Sequence, residues 1–313
     1  MIILEIKNKK VLVTGGRGFL GKALCPMLER EGAELLVPTH KELDLTVWND
    51  TIDYMKRERP DIVIHAAVDG GGIGYMKDHP GSVYLNNILM NTHIVEASRQ
   101  VDVEKFVGIG TVCSYPKFTP VPFKEEDLWN GYPEETNAPY GLAKKMMLVQ
   151  TKGYHEQYGF NGIHLLMINL YGPHDDFDSN TSHVIPALIK KVVDAKREGK
   201  DHIEVWGSGS ATREFLYVDD AARGIVLATK RYEKSDPVNL GSGMEISIKD
   251  LAETICDLCE FEGEIRWDRS KPDGQPRRML DTLKAYDEFE FKAEIDFRSG
   301  LKSTIKWYNK VLT

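Results

Sequence analysis

The first half of the chain alternates short apolar runs with longer stretches in which apolar residues recur every three or four positions. The runs have the length and β-branched content of strands, and the stretches have the period of helices. This pattern predicts strands at residues 10–14, 34–37, 61–66, 105–109 and 164–169, and helices at 22–30, 46–59, 88–99 and 140–158. Strands that alternate with helices predict an α/β fold, a Rossmann-type doubly wound parallel sheet covered on both faces.

Beyond residue 172 the predicted elements become shorter and the connections more polar. Helices are expected at 183–196, 219–230, 248–259 and 298–310, with strands at 203–206 and 215–218. We therefore divide the chain into a sheet domain at 1–171 and a smaller C-terminal α/β lobe at 172–313. Segments at about 212–240 are expected to return to the first domain.

Composition narrows the classes of function and location. The 313 residues are 42% hydrophobic and 28% charged, with a net charge of -8, so a nucleic-acid partner is not expected. No apolar run reaches the roughly 20 residues of a membrane span, and the N-terminus lacks the pattern of a secretory signal. Four cysteines in this length do not form a disulfide framework. We expect a cytoplasmic protein with no membrane partner and no metal.

Three glycines connect the first strand to the first helix. Gly15, Gly18 and Gly21 have the spacing G-x-x-G-x-x-G, which permits a tight turn and brings backbone N–H groups close to a pyrophosphate at the helix N-terminus. Although a plain turn would also use glycine, the position between strand and helix favours a dinucleotide site. The expected contacts are Gly15, Gly16, Arg17, Gly18, Phe19, Leu20 and Gly21.

The end of the second strand predicts which dinucleotide is bound. An acidic residue there would favour NAD by accepting a hydrogen bond from the ribose 2′-hydroxyl. The segment instead reads Pro38-Thr39-His40-Lys41, with no acid before Glu42. His40, Lys41 and Arg17 would suit a 2′-phosphate, so we predict NADP(H), with solvated surface cations as the alternative.

Candidate chemistry is concentrated between Gly110 and Lys144. Tyr140 and Lys144 are four residues apart and share one face if a helix begins there. A neighbouring ammonium group would lower the pKa of the phenol and allow it to exchange a proton. Thr111 and Cys113 follow the fourth strand, where ligands of parallel sheets bind. An exposed Tyr–Lys pair without function is the alternative.

Several longer motifs give the chain a resemblance to a known family. They include Cys113-Ser-Tyr-Pro-Lys117, Asn169-Leu-Tyr-Gly-Pro-His-Asp175, Ser182-His-Val-Ile-Pro-Ala-Leu188, Val205-Trp-Gly-Ser-Gly209 with Arg213-Glu-Phe215, and Ser270-Lys-Pro-Asp-Gly274. With the glycine turn, they resemble the extended short-chain dehydrogenase/reductases, and most specifically the family of GDP-L-fucose synthases. That family converts GDP-4-keto-6-deoxy-mannose to GDP-L-fucose by 3,5-epimerisation and NADPH-dependent 4-reduction.

The resemblance implies roles for individual residues. Tyr140 would protonate the C4 oxygen, with Lys144 and Thr111 beside it. Cys113 and His183 would be the acid and base of epimerisation, although a buried cysteine and a helix-capping histidine are the structural alternatives. Contacts with the GDP-sugar are implied for Lys191, Trp206, Arg213 and Asp273. Further cofactor contacts are expected from Ala66, Ala67, Ile109, Gly110, Tyr140, Lys144, Asn169, Leu170 and His183.

Departures from the family pattern leave the sugar open. Thr111 stands where the family usually has serine, and the stretch 69–74 also varies. A different GDP-sugar, either another deoxyhexose or a heptose, is the nearest alternative; a non-catalytic dinucleotide sensor is a second, disfavoured by the complete acid/base set. Cys256 and Cys259 fit the apolar face of a helix. The family resemblance implies a homodimer.

Overall fold

The computed structural model describes residues 3–178, 181–271 and 273–312. Pro272, part of one sequence motif, lies outside these ranges, as do residues 179 and 180. The strands are β1 Lys10–Thr14, β2 Glu34–Leu36, β3 Ile62–His65, β4 Lys105–Thr111, β5 Gly162–Met167, β6 Asn169–Tyr171, β7 His202–Trp206, β8 Thr212–Tyr217, β9 Val238–Leu240, β10 Glu245–Ser247, β11 Glu264–Asp268 and β12 Arg277–Arg278.

The helices connect these strands, mostly one after each strand of the first half. They are α1 Phe19–Arg30, α2 Trp48–Glu58, α3 Ile73–Asp78, α4 Pro80–Gln100, α5 Ala138–Tyr158, α6 Val184–Glu198, α7 Val218–Arg231, α8 Ile248–Leu258, α9 Leu283–Phe289 and α10 Phe297–Val311. Short 3-10 turns at Val112–Ser114 and Glu125–Trp129 follow β4. No helix within the described residues is long and apolar enough to cross a membrane.

A six-stranded parallel sheet forms the larger core, in the order β2-β1-β3-β4-β5-β9. Alternate side chains of a strand point to opposite faces, so Val11 and Val13 pack with α1 and α7, whereas Leu12 packs with α2 and α4. Every residue of β3, β4 and β5 is buried, as expected for a sheet with helices on both faces. The predicted α/β Rossmann-type fold is confirmed.

The chain changes sheets at Ile168. The sequence predicts one strand at 164–169, but β5 ends at Met167, and β6 then pairs with β8 in the smaller sheet. An apolar run carries no signal for which strand it will pair with, so this break was not predictable from periodicity. As a result the end of β5 lies where the two sheets meet.

The smaller sheet contains β6, β8, β10 and β12, with β7 and β11 paired separately. Helices α6, α8 and α10 share its apolar core, which includes Cys256 and Cys259. After β8 the chain goes back to the larger core, where α7 packs against α1 and β9 pairs with β5. Buried residues of α9, including Phe289, also pack in the larger core. The chain therefore crosses repeatedly between the two sheets.

Candidate active site

A cavity of about 1060 Å³ lies between the carboxyl ends of the central strands and the second lobe. Small-molecule sites usually measure roughly 300–1,000 Å³, so this cavity is at the upper end of that range and suits ligands as large as a dinucleotide. Most sequence-predicted site residues line it. They are Gly15, Arg17, Gly18, Phe19, Leu20, His40, Ala66, Ala67, Ile109, Gly110, Thr111, Cys113, Tyr140, Lys144, Asn169, Leu170, His183, Lys191, Trp206, Arg213 and Asp273.

The glycine turn is tight at both ends. Gly15 has a φ of +71°, and a Cβ there would lie 2.8 Å from the backbone nitrogen of Ala67. A Cβ on Gly21 would lie 2.3 Å from the carbonyl of Gly16, so α1 begins in direct contact with the turn. Gly16 and Gly21 lie behind the cavity wall and shape the turn, whereas Gly18 caps α1 and faces the cavity. A dinucleotide pyrophosphate fits this helix N-terminus.

Basic side chains lie beyond β2, at the same end of the cavity. Arg17 Nε donates a hydrogen bond to the Val37 carbonyl at 3.2 Å, and the His40 side chain is exposed. The first acid, Glu42, accepts hydrogen bonds from the Thr39 N–H at 2.7 Å and the Thr39 hydroxyl at 2.8 Å. That carboxylate is therefore engaged within its own turn, and Arg17 and His40 are the groups presented to the cavity.

Lys41 does not lie in the cavity wall, in contrast to the sequence prediction. It is exposed within the turn that Glu42 closes by donating its backbone N–H to the Thr39 carbonyl at 3.0 Å. This tight turn carries Lys41 away from the cavity and leaves His40 in the wall.

Buried hydrogen bonds fix the ends of β1 and β3. The Thr14 hydroxyl lies 2.7 Å from His65 Nδ1 and accepts a bond from the Ala67 N–H at 3.2 Å. His65 Nε2 lies 2.9 Å from Asn91 Oδ1. Burial, together with the charge of Lys144, lowers the pKa of His65 to about 3. His65 is thus a neutral structural residue that holds the backbone at the cavity floor.

Tyr140 and Lys144 lie on the first turns of α5 and face the cavity. Lys144 Nζ donates to the Ala67 carbonyl at 3.3 Å, and burial lowers the pKa of Lys144 to about 7. Burial also raises the pKa of Tyr140 above its ordinary value; Cys113 adds to this rise, and a hydrogen bond with Thr111 opposes it. The predicted lowering of the Tyr140 pKa by Lys144 is therefore not found, because burial dominates, and Tyr140 holds its proton.

The Cys113 turn is seated directly on α5. A Cβ on Gly141 would lie 2.1 Å from the Cys113 carbonyl oxygen, and the Ser114 hydroxyl donates to the Gly141 carbonyl at 2.8 Å. The Thr111 hydroxyl accepts from the Cys113 N–H at 3.2 Å and caps the 3-10 turn. Only glycine allows this approach. Residue 141 thereby sets the position of Cys113 relative to Tyr140.

His183 reaches the cavity from the second lobe. It occupies the N-cap position of α6, but its side chain makes no capping hydrogen bond, so the helix-cap alternative does not describe it. The imidazole is exposed to the cavity. The protein walls around it reduce its contact with bulk water and lower the pKa of His183, with Asp176 acting in the opposite direction. The lowered pKa favours a neutral imidazole that can accept a proton.

Trp206 presents an open aromatic face in the second lobe. Its side chain is 57% exposed, which excludes the alternative of core packing. The Nζ atoms of Lys191 and Lys271 lie 5.8 Å and 5.5 Å from the ring centroid, within the range of cation–π contact. Lys191 Nζ also donates to the Glu204 carbonyl at 2.9 Å. An aromatic surface flanked by cations suits a base or sugar linked to phosphates.

Asp273 is engaged by the turn after β7. Its carboxylate accepts hydrogen bonds from the Ser208 N–H at 2.6 Å and the Ser208 hydroxyl at 2.8 Å. Arg213 Nη2 donates to the Asp273 carbonyl at 3.5 Å. Burial and the neighbouring Arg278 lower the pKa of Arg213 to about 10. Asp273 therefore orders the loop beside Arg213, and a direct contact of its carboxylate with substrate stays a prediction.

The sequence prediction missed Arg278 as a site residue. Arg278 Nη1 donates to Cys113 Sγ at 3.8 Å, and Arg278 Nε donates to Gln275 Oε1 at 3.2 Å. The sequence signals only that this loop is basic. Within the described residues, no group of three or more His, Cys, Asp or Glu side chains is arranged to hold a metal ion.

Residues 11–241 match the NAD dependent epimerase/dehydratase family. The chain belongs to this family. It is 38% identical over 305 residues to GDP-L-fucose synthase 1 of Arabidopsis thaliana, covering 97% of this chain and 94% of that protein. The resemblance to GDP-L-fucose synthases is therefore confirmed, and the chain is an enzyme of the epimerase/dehydratase family.

Two solved structures have the same fold over nearly the whole chain. A GDP-L-fucose synthetase from Naegleria fowleri bound to NADP matches with a TM-score of 0.90 at 29% identity, covering 99% of this chain and 97% of that one. A GDP-6-OMe-4-keto-L-xylo-heptose reductase from C. jejuni also matches with a TM-score of 0.90, at 27% identity and 97% and 98% coverage. Two proteins named for different GDP-sugars therefore share the fold of this chain.

Proposed function

We propose that this enzyme carries out NADP-dependent 3,5-epimerisation and 4-keto reduction of a GDP-4-keto-6-deoxyhexose, giving GDP-L-fucose or a close relative. The observation that carries the proposal is the presence of two sets of proton-transfer groups in one cavity. Tyr140 and Lys144 form one set, and Cys113 with His183 forms the other. Relatives named GDP-L-fucose synthase, similar over nearly the whole chain, support the substrate class.

The residues around the glycine turn fit NADP(H). The turn leaves no room for a Cβ at Gly15 or Gly21, and Arg17 and His40 lie where a 2′-phosphate would be recognised. The NADP-bound Naegleria relative supports this choice. NADPH would supply the hydride for reduction at C4, and Lys144 would contact its nicotinamide ribose.

Tyr140 supplies the proton for the reductive half. Its raised pKa keeps the phenol protonated near neutral pH, so it can donate to the C4 oxygen as negative charge develops there. Thr111, which hydrogen-bonds to Tyr140, would orient the same keto oxygen. The methyl group of Thr111, in place of the family's serine, narrows the space beside that oxygen.

Cys113 and His183 act in the epimerising half. Inversion beside a ketone removes a proton from one face of the carbon and returns one to the opposite face, so it needs two groups. Cys113 comes from the end of β4 and His183 from the start of α6, on different walls of the cavity. A neutral imidazole can accept a proton from carbon, and a thiol can donate one.

We assign the nucleotide sugar to the second lobe and the cofactor to the first. Lys191 and Arg213 would bind the diphosphate, and Trp206 would form a wall for the base or sugar. Asp273 would order the loop beside Arg213. Alternatively, its carboxylate would release Ser208 and accept a hydrogen bond from a hydroxyl or amine group of the sugar or base.

Reduction of a GDP-heptose is the second candidate, favoured by two observations. The C. jejuni heptose reductase shares the fold with a TM-score of 0.90, and Thr111 departs from the family's serine at the keto oxygen. A reductase alone would not need both Cys113 and His183, so their presence supports the epimerising activity.

A cytoplasmic homodimer completes the proposal. The chain exposes large apolar side chains on both α4 and α5, namely Tyr84, Leu85, Val149 and Tyr158. These helices pack against each other within the chain, so a second copy placed across a twofold axis would bury both exposed faces. The four free cysteines agree with a reducing compartment.

A comparison of two substrates tests the proposal. The enzyme is mixed with NADPH and either GDP-4-keto-6-deoxy-mannose or a GDP-4-keto-heptose, and NADPH consumption is followed together with the product's NMR spectrum. We expect rapid consumption with the deoxyhexose and formation of GDP-L-fucose. Consumption with the heptose alone would establish the second candidate, and consumption with neither would overturn both.

A further inference from the structure

Cys113 has one charged neighbour that comes from a distant part of the chain. Arg278 Nη1 donates a hydrogen bond to Cys113 Sγ at 3.8 Å, although the two residues are 165 positions apart. Both side chains line the cavity. The sulfur of Cys113 therefore accepts a hydrogen bond from a positively charged guanidinium group.

Arg278 is held in place from several sides. Its backbone pairs with Arg213 in the register of β12 with β8. Two residues further, the Leu280 N–H donates at 2.7 Å to the buried carboxylate of Glu214. The side chain is anchored separately, because Arg278 Nε donates to Gln275 Oε1 at 3.2 Å.

Gln275 links this anchor to the Cys113 segment. Its Nε2 donates to the Lys117 carbonyl at 2.8 Å, four residues after Cys113. The Phe123 N–H donates to the Met279 carbonyl at 2.8 Å and ties the same two stretches together. Hydrogen bonds thus join the segment that carries Arg278 to the segment that carries Cys113. The fold itself therefore brings the guanidinium and the thiol together.

We propose that Arg278 is a positioning residue for epimerisation, which orients the Cys113 sulfur and stabilises its thiolate. The inference rests on the proposed function. Whether Cys113 gives its proton to carbon or takes one from carbon, the sulfur carries negative charge on one side of the transfer. A hydrogen bond from a fixed cation strengthens as that charge forms.

Arg277 provides a matched control. It adjoins Arg278 on the same short strand, but its side chain is exposed and pairs with Glu245 at 2.6 Å, away from Cys113. Removing either arginine lowers the net charge of the loop by the same amount. A difference between the two variants therefore reports the contact with Cys113, and a general change in surface potential would affect both.

The first test measures thiol reactivity without any substrate. Wild type, Arg278→Met, Arg278→Gln and Arg277→Met are treated with iodoacetamide at one pH, and alkylation of Cys113 is timed by peptide mass mapping. Because the thiolate is the reactive form, both Arg278 variants should react about tenfold more slowly, on the order expected for losing a charge-assisted hydrogen bond. Arg277→Met should match wild type. The half-buried Cys25 and the buried Cys256 and Cys259 report unfolding in each sample.

The second test measures solvent exchange of the substrate. In D2O without NADPH, Arg278→Gln should slow deuterium uptake by GDP-4-keto-6-deoxy-mannose at least tenfold, while its KM changes less than threefold. Unchanged or faster alkylation of Cys113 in both Arg278 variants would overturn the inference. If wild type itself takes up no deuterium, the proposed function fails, and the alkylation rates still decide the role of Arg278.

Discussion

Gly141→Ala is the sharpest single perturbation of the site. The new methyl group would lie 2.1 Å from the Cys113 carbonyl oxygen and 2.7 Å from its carbonyl carbon, whereas ordinary contact begins at 3.4 Å. Both obstacles are backbone atoms, so no flexible side chain can move aside. The 3-10 turn that carries Cys113 and the helix that carries Tyr140 must separate by about 1.3 Å to relieve the clash.

A displacement of this size has a calculable consequence. A misplacement of roughly 1 Å costs about 10²-fold in rate, so kcat should fall about 100-fold for both epimerisation and reduction. Overpacking a filled contact typically costs 1–3 kcal/mol of stability. We expect a folded enzyme with about 2 kcal/mol less stability and a loss of activity much larger than that destabilisation explains.

Gly153→Ala is the matched control on the same helix. No atom of the described part of this chain lies within 4 Å of the Cβ it would add, so it should gain about 0.5–1 kcal/mol from helix propensity and keep wild-type kcat. The assay combines urea unfolding with NADPH oxidation in the presence of GDP-4-keto-6-deoxy-mannose. A Gly141→Ala enzyme with kcat within twofold of wild type would refute the claim that this contact sets the position of Cys113.

Three further predictions concern charge and proton transfer. The folded pKa of Lys144, about 7, lies below its ordinary 10.5, so the unfolded chain binds more protons between these values and the penalty of burying the charge disappears as pH rises. The unfolding free energy of Lys144→Met should therefore exceed that of wild type, and the difference should be largest at about pH 6. Each unit of pKa shift corresponds to about 1.4 kcal/mol. A difference in unfolding free energy that does not shrink by about pH 9 would contradict this. Arg17→Gln should raise the KM for NADPH about tenfold and leave that for NADH within twofold; equal effects on both would exclude a 2′-phosphate contact. Tyr140→Phe should slow reduction at least 100-fold while substrate deuteration continues; equal loss of both would contradict its role as the reductive acid.

The parallel sheet and most cavity residues were predictable because they depend on local signals. Each of these signals is a pattern within a few neighbouring residues: the glycine turn, the strand ends and the Tyr140–Lys144 spacing. A parallel sheet then brings the strand ends to one edge. The break at Ile168 was not predictable, since β5 and β6 form one apolar run in sequence. Tertiary packing determines that β6 pairs with β8.

Contacts between distant segments escaped prediction for the same reason. Arg278 reaches Cys113 from 165 residues away, and Ser208 binds the Asp273 carboxylate from 65 residues away. The effect of burial on pKa values could not be predicted from the sequence either. Lys144 was expected to lower the pKa of Tyr140, but withdrawal of the phenol from water raises it instead. Such effects depend on how protein surrounds a group, which periodicity and spacing do not reveal.

The central claim is that one cavity performs both proton exchange and reduction. It is tested most directly by reacting GDP-4-keto-6-deoxy-mannose with NADPH and this enzyme in D2O, then locating deuterium in the product by NMR. We predict one deuterium at C3 and one at C5 of a reduced, epimerised product, with loss of deuterium at one or both carbons in Cys113→Ser. Consumption of NADPH with no deuterium at either carbon would contradict the account and leave a reductase alone.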